Sequence, residues 1–251
     1  QAKKNEIKSF CIPHGTLSSN YDKNDKLYKK IISDAIVPSS AIKFAVQTKI
    51  CEKFVQKNDL KNSIITGNLI FSEVKKKSSE IILYAVTQKD FYNMQFYGVE
   101  TFYEYLDNLD FLDKFSNKLD KKIVVKPHPS EFDSISFLKT RFKNLEFTKE
   151  KNEILLQKTA ITLSFSSTMI EDSLCSKIPV ILLDRWKRYK HCMAETDPNK
   201  KDSPVYYINN EADLKKCIDT ILKSDKINFE NFIFNQSYKN NLDKILKIFL
   251  N

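Results

Sequence analysis

The sequence predicts an α/β protein built on a doubly wound parallel sheet, and three observations lead there. Short β-branched apolar runs alternate with stretches of helical periodicity along nearly the whole chain. Strands separated by helices form βα units, whose sheet is parallel and covered on both faces. The 251 residues are 41% hydrophobic and 29% charged, which suits a globular chain with a substantial core. Unusual polar residues also cluster just after the apolar runs, where the loops of such a sheet bind ligands.

Strands are expected over 7–13, 34–38, 63–66, 80–86, 122–126, 145–148, 160–165, 178–183 and 205–208. Helical periodicity covers 25–32, 40–55, 96–118, 135–142, 152–158, 168–175, 211–223 and 238–249. Asn210 precedes the helix at Glu211, and Asp213 follows three residues later, a passable N-cap. Residues 67–79 open on a glycine and carry the charged, weakly periodic FSEVKKKSSE, which marks a boundary. Residues 68–251 hold enough units for a complete doubly wound domain. Residues 1–67 hold too few and read as the C-terminal part of an N-terminal domain that continues upstream. The chain opens on Gln1, and residues 1–8 lack the apolar core of a signal peptide. No apolar run approaches the roughly 18 residues of a membrane span.

The formal charge is +9, yet only Arg141, Arg185 and Arg188 are arginines and the lysines are interspersed with acids. That pattern reads as solvated surface before it reads as a basic binding face. The five cysteines (11, 51, 175, 192 and 217) have no zinc-ligand spacing. Cys51, Cys175 and Cys217 fall in helical patterns as small buried hydrophobes, so a reducing compartment, the cytoplasm, is expected. Three histidines make a His-rich metal site a poor expectation. P-loop, HExxH, GxSxG and dinucleotide glycine fingerprints are absent.

Four strand ends carry the chemistry. In KIVVKPHPSEF, residues 122–132, Pro127 and Pro129 hold Lys126 and His128 extended, so the imidazole projects from a stiff backbone where it can donate to phosphate. Ser130 or Ser134 is expected to cap the helix that follows. In FSSTMIED, residues 165–172, Ser166, Ser167 and Thr168 stand where a helix starts, and their hydroxyls with its first N–H groups would form an anion cradle. Glu171 and Asp172 lie about a turn further, where one carboxylate can accept from ribose hydroxyls; the plainer reading is an ordinary N-cap with acids in the first turn. VTQKD, residues 86–90, places Thr87 beyond a third strand. In IKSFCIPHGT, residues 7–16, His14 is a base near neutral pKa, and Gly15 is one of three glycines in the chain. RWKRYKH, residues 185–191, reads as a solvated basic run, or as a basic loop near an acceptor or a membrane surface. The aromatics from Phe91 to Tyr105 have a helical spacing that favours core over base stacking.

HGT, a GN after a short apolar strand, ILYAVT, KPHP, and SSTMIED followed by KIPVILLD occur in that order between about residues 12 and 184. This series resembles the GT-B nucleotide-sugar transferases of bacterial surface polysaccharide synthesis. The CDP-glycerol glycerophosphotransferase-like enzymes and the bacterial sialyl- and Kdo-transferases are the nearest groups. The resemblance implies two Rossmann-like domains, with the end of the first and the whole of the second in this chain. It implies that His128, Ser166, Ser167 and Thr87 bind donor phosphate and that Glu171 binds ribose, with Gly15, Thr16, Lys126 and Thr168 supporting. His14 would be the general base of an inverting reaction that needs no metal and no cofactor beyond the nucleotide-sugar. The acidic Asp/Glu-Asp/Glu-Gly motif of many sialyltransferases is missing from these residues.

The expected function is therefore transfer of a sugar, or a polyol phosphate, from a CMP-, CDP- or UDP-linked donor to a glycan or lipid-linked acceptor. The expected location is cytoplasmic, with peripheral association at the inner face of the membrane left open. A UDP-sugar 2-epimerase-like enzyme is the alternative within the same fold. A non-catalytic nucleotide- or nucleic-acid-binding module is the alternative outside enzymes, and nucleic acid is not an expected partner.

Overall fold

A computed structural model describes residues 10–13, 43–57, 61–87, 89–90, 100–235, 243–244 and 246–247. The helix expected over 25–32, the strand over 34–38, and His14, Gly15 and Thr16 lie outside the described residues. The chain divides into two compact units. One takes the residues up to Phe71 together with those from Glu230 onward; the other runs Ser72–Phe229.

The first unit holds a parallel sheet of β1 (Phe10–Cys11), β2 (Lys43–Val46) and β3 (Ser63–Ile65), in that order, with α1 (Lys49–Lys57) between the last two. Helical periodicity over 40–55 is half right. KFAV forms a strand paired on both sides, and the helix begins only after Thr48, whose Oγ1 accepts from Cys51 N at 3.1 Å. Pairing with two neighbours outweighs local helical preference there. Gly67 has φ of 71°, a left-handed turn after β3 that disfavours a Cβ. The sequence boundary ran the second domain to the end of the chain, whereas residues from Glu230 return to the first unit. Lys49 N donates to Phe232 O at 3.0 Å, and Phe234 packs on the cluster of Phe44, Val46, Cys51, Phe54 and Val55.

The second unit contains β4 (Ile81–Ala85), β5 (Lys89–Asp90), β6 (Glu100–Thr101), α2 (Phe102–Ser116), β7 (Lys122–Lys126), a 3-10 turn (Pro129–Ser134) and α3 (Ile135–Arg141). It continues with β8 (Glu146–Phe147), α4 (Asn152–Lys158), β9 (Thr159–Ser164), α5 (Met169–Cys175), β10 (Val180–Leu183), β11 (Val205–Ile208) and α6 (Glu211–Leu222). Six of these strands form one parallel sheet in the order β11-β10-β9-β4-β7-β8. Counted from β4, that order is the 3-2-1-4-5-6 of the doubly wound Rossmann fold, with β4 and β9 flanking the point where the winding reverses.

Period-two alternation loads both faces. Ile82, Tyr84, Ile123, Val125, Ile161 and Leu163 join one core with Leu109 and Leu112 of α2, Leu138 of α3, and Leu214 and Ile218 of α6. Ile81, Leu83, Ala85 and Val124 face the other way, onto Leu155 and Leu156 of α4 and Met169 of α5. Helix starts follow the chemistry of the chain. Thr101 and Glu104 close a reciprocal capping box on α2, and Asn210 Oδ1 accepts from Asp213 N at 2.9 Å on α6. The five cysteines are free thiols, and burial pushes those of Cys175 and Cys217 up. Among the described residues no helix is long and apolar enough to cross a membrane.

Candidate functional site

Register fixes the geometry of the rim. Ala85, the last residue of β4, is paired with Lys126 at the end of β7 and with Ser164 at the end of β9. Thr87, His128 and Ser166 therefore stand two residues beyond three aligned strand ends. Adjacent strands lie about 4.8 Å apart, so the loops after β7 and β9 flank the end of β4 across roughly 10 Å. The sheet order thus brings Thr87, His128, Ser166 and Ser167 to one rim, beside the winding reversal.

Each side chain has a definite state. Thr87 Oγ1 is buried without a hydrogen-bond partner. His128 is half-buried and extended (φ −61°, ψ 145°), as its flanking prolines require. Its Nδ1 accepts from Ser130 N at 3.3 Å and lies 2.7 Å from Ser130 Oγ. Acceptance at Nδ1 assigns the proton of the neutral ring to Nε2, which makes that nitrogen a donor. Neither Ser130 nor Ser134 caps the following helix through its side chain, contrary to expectation. His128 itself caps the 3-10 turn, while Ser134 sits at the N-cap of α3 without a side-chain cap bond and donates to Glu131 O. Lys126 is drawn to a neighbouring loop. Its Nζ donates to Glu150 O at 2.7 Å and lies 5.5 Å from the Phe132 ring centroid, and burial lowers its pKa.

The loop after β9 differs from the expected cradle. Its N–H groups turn inward: Ser167 N donates to Ser164 Oγ (3.1 Å), Met169 N to Ser167 Oγ (3.3 Å), Ile170 N to Ser167 O (3.0 Å) and Glu171 N to Thr168 O (3.1 Å). Thr168 is helical (φ −60°, ψ −13°) and makes no side-chain cap bond. Backbone amides at these four positions are satisfied by the loop's own oxygens, so hydroxyls carry the anion-binding capacity here. Ser164 Oγ also donates to Ala85 O at 2.9 Å, fastening this loop to the end of β4.

The adjacent acids separate cleanly. Asp172 accepts from Ser72 N at 2.7 Å and from Asn152 Nδ2 at 3.1 Å, and burial is the main reason its pKa rises to about 6. It braces the linker entering the sheet. Glu171 has no exposed surface; Oε1 lies 2.7 Å from His191 Nε2, and Oε2 is buried without a hydrogen-bond partner.

Residues 56–202, more than half of the chain, match the LIC12162 family of transferases. The chain belongs to that family. No curated protein matches it. Among solved structures it is similar to the UDP-GlcNAc 2-epimerase of Methanocaldococcus jannaschii in complex with UDP-GlcNAc and UDP. The TM-score is 0.58 at 15% identity, over 98% of this chain and 70% of that one. The Neisseria meningitidis UDP-GlcNAc 2-epimerase bound to UDP-GlcNAc gives 0.55 at 13% identity, over 99% and 71%. TarM gives 0.50 at 18% identity over 96% of this chain, which spans half the length of TarM. A Staphylococcus aureus TarM mutant in complex with Fondaparinux, alpha-GlcNAc-glycerol and UDP gives 0.51 at 20% identity, over 96% and 50%. At these identities the likeness shows the fold: the Rossmann-like α/β architecture expected of a GT-B-type chain is the one found.

The part of this LIC12162 family transferase that the sequence undervalued is the segment RWKRYKH. Arg188 is not solvated: its Nη2 is 2.7 Å from Glu104 Oε2, and its guanidinium lies 5.2 Å from the Phe165 ring centroid. Tyr189 and His191 are buried. The segment is pinned by Asp184, at the end of β10, which is fully buried and accepts from Trp186 N (3.2 Å), Tyr189 N (2.6 Å) and the Tyr207 hydroxyl (3.0 Å). A signal was present. Two of three arginines and one of three histidines fall within seven residues, just past a strand end.

Proposed function

We propose that this transferase moves a sugar, or a polyol phosphate, from a nucleotide-activated donor to a cell-surface polysaccharide acceptor, and that the rim of β4, β7 and β9 binds the donor. The observation that carries the reading is the common register of Thr87, His128 and Ser166 beyond aligned strands at the winding reversal. His128 Nε2–H and the hydroxyls of Thr87, Ser166 and Ser167 supply neutral donors for the donor's phosphates. Glu171 supplies an acceptor for ribose hydroxyls. The structural relatives crystallised with uridine nucleotides make UDP the first nucleotide to test, ahead of CMP and CDP.

In sugar transfer, His14 takes the acceptor hydroxyl proton while that oxygen bonds to the anomeric carbon. The bond from that carbon to the phosphate oxygen breaks, and its electron pair leaves with the nucleotide. Donors preorganised on the departing phosphate stabilise its growing charge, the usual source of rate in such a step. Charge stabilisation in this reading falls to protein donors at the rim. Membership in a transferase family favours this reading over the 2-epimerase-like one, which shares the fold.

The test is a thermal-melt series of the full chain with CMP, CDP, UDP, GDP and ADP, repeated with His128→Ala and Ser167→Ala. A ligand that binds only the folded state raises the melting temperature by mass action. One pyrimidine nucleotide should stabilise the wild type, and each substitution should weaken that nucleotide by about tenfold or more, the loss of one charge-assisted hydrogen bond. Absence of any nucleotide effect, or full retention of binding in both variants, sinks the proposal.

A further inference from the structure

A buried hydrogen-bonded chain runs from the end of β10 to the first turn of α5. Asp184 Oδ2 accepts from Tyr189 N, the Tyr189 hydroxyl lies 3.0 Å from His191 Nδ1, and His191 Nε2 lies 2.7 Å from Glu171 Oε1. Asp184 and Glu171 have no exposed surface, and Tyr189 and His191 are 7% and 4% exposed. Tyr189 also packs on Phe165, with ring centroids 5.4 Å apart. An ionised carboxylate only accepts, so Nε2 carries a proton in either charge state of the ring. The neutral ring then receives the Tyr189 hydroxyl at Nδ1. Every joint is set by a packed or bonded neighbour, which fixes the plane of the Glu171 carboxylate and the direction of its second oxygen.

That second oxygen is the anomaly. Oε2 is sealed from water and accepts no hydrogen bond from the protein. A buried acceptor left this way costs the fold stability. The other acid on the same helix shows no such deficit: Asp172, the next residue, has both oxygens engaged. Glu171 Oε2 is thus a buried acceptor to which the described residues bring no donor. A ligand reaches it only by local opening, and the bond then forms in a dry site where it is strengthened.

We propose that His191, braced by Tyr189, is a positioning residue that holds Glu171 Oε2 toward the ribose hydroxyls of the nucleotide, and so sets preference for ribonucleotides over nucleotides lacking those hydroxyls. This rests on the reading of Glu171 as the ribose ligand. His191 touches no substrate and acts only through Glu171. A merely structural histidine would contribute to folding and leave the discrimination untouched.

Titration calorimetry of the full chain with UDP and with 2′,3′-dideoxy-UDP separates the possibilities. The wild type should prefer UDP by at least about tenfold. Glu171→Gln should reduce that preference by weakening UDP and not the dideoxy compound. His191→Leu should do the same to within about twofold of Glu171→Gln. His191→Gln, which returns an N–H near the position of Nε2, should recover most of the preference. If Glu171→Gln loses discrimination and His191→Leu keeps it, the positioning role is overturned while the ribose reading stands. If the wild type or Glu171→Gln discriminates no differently from the other, both fall together. Should His191→Leu fail to melt cooperatively, Tyr189→Phe decides, since it removes one hydroxyl and keeps the ring. Full preference in Tyr189→Phe overturns the inference; partial loss supports it.

Discussion

The two rims of the six-stranded sheet make an instructive pair, because both are polar and only one is built like a site. The amino rim, before β4, β7, β9 and β10, carries an open cavity of about 500 Å³ lined by Lys76, Lys121 and Lys177, with Ser79, Asp225 and Phe229. Two of its lysines have ordinary partners: Lys121 donates to Ser79 O, and Lys177 lies 5.6 Å from the Phe229 ring centroid. The carboxyl rim has polar and charged groups beneath its surface. Ser164, Glu171, Asp184 and His191 are all buried there and joined by hydrogen bonds between loops. An open cavity lined by lysines marks the first rim, and buried, hydrogen-bonded polar groups mark the second. Buried polar side chains are the more informative sign, since exposed lysines are the norm.

The largest effect expected from this contrast is at Asp184. Its carboxylate satisfies two backbone N–H groups and the Tyr207 hydroxyl, whose pKa it helps to raise after burial. Asp184→Ala leaves three donors unsatisfied, two of them in the loop that carries His191. A loss on the order of 3 kcal/mol of unfolding free energy is expected. Urea unfolding of both proteins measures it. A loss below about 0.5 kcal/mol, the range of an ordinary surface change, would show that the rim's buried network is not a stabilising one.

Next comes a pH effect at Asp172. Its pKa in the fold is about 6, above the usual 3.8, and burial is the leading cause. A raised carboxyl favours the protonated form when folded, so its contribution is complete below pH 4 and is lost as pH rises through 6. The loss amounts to roughly 3 kcal/mol at most, from the size of the displacement. Asp172→Asn removes the titration. The stability difference, variant minus wild type, should therefore grow from pH 4 to pH 7, as measured by urea unfolding at each pH. A flat difference would mean that Ser72 N and Asn152 hold the ionised form as easily as water does.

How far these features were legible in the sequence follows from the range of the interactions. Strand ends at Ala85, Lys126 and Ser164 are local facts, written in β-branched runs and in the prolines around His128, and the helix over 152–158 is observed with those bounds. Rim placement of Thr87, His128 and Ser166 follows once the strands are parallel, because strand direction alone decides the edge. The Glu171–His191 pair is a different matter. Twenty residues and a whole strand separate the partners, and the reading of residues 185–191 as a basic run rested on composition without knowing that Asp184 folds the loop inward. The return of residues from Glu230 to the first unit was equally hidden, since it depends on Phe232 and Phe234 finding surfaces made by residues 44–55. Helical periodicity over 40–55 misled because a strand paired on both sides is indifferent to which residues would also suit a helix.

The smallest effect is the sharpest check on the contrast. Lys76 and Lys121 are close enough that the charge of Lys121, after burial, lowers the pKa of Lys76. Replacing both with alanine removes two positive charges from the lysine-lined cavity of the amino rim. If function follows the buried network, the double variant should unfold within about 0.5 kcal/mol of the wild type, as surface substitutions do. Its melting temperature should rise with UDP as much as the wild type's, because no ligand contact is removed. Steering by two lysines acts on association over about a Debye length, so whatever small effect remains should vanish by 0.15 M salt. A tenfold weakening that persists at that salt would place an anion in the amino-rim cavity. It would also reverse the ranking of the two rims, since open charge would then outweigh buried polarity as the mark of the binding edge.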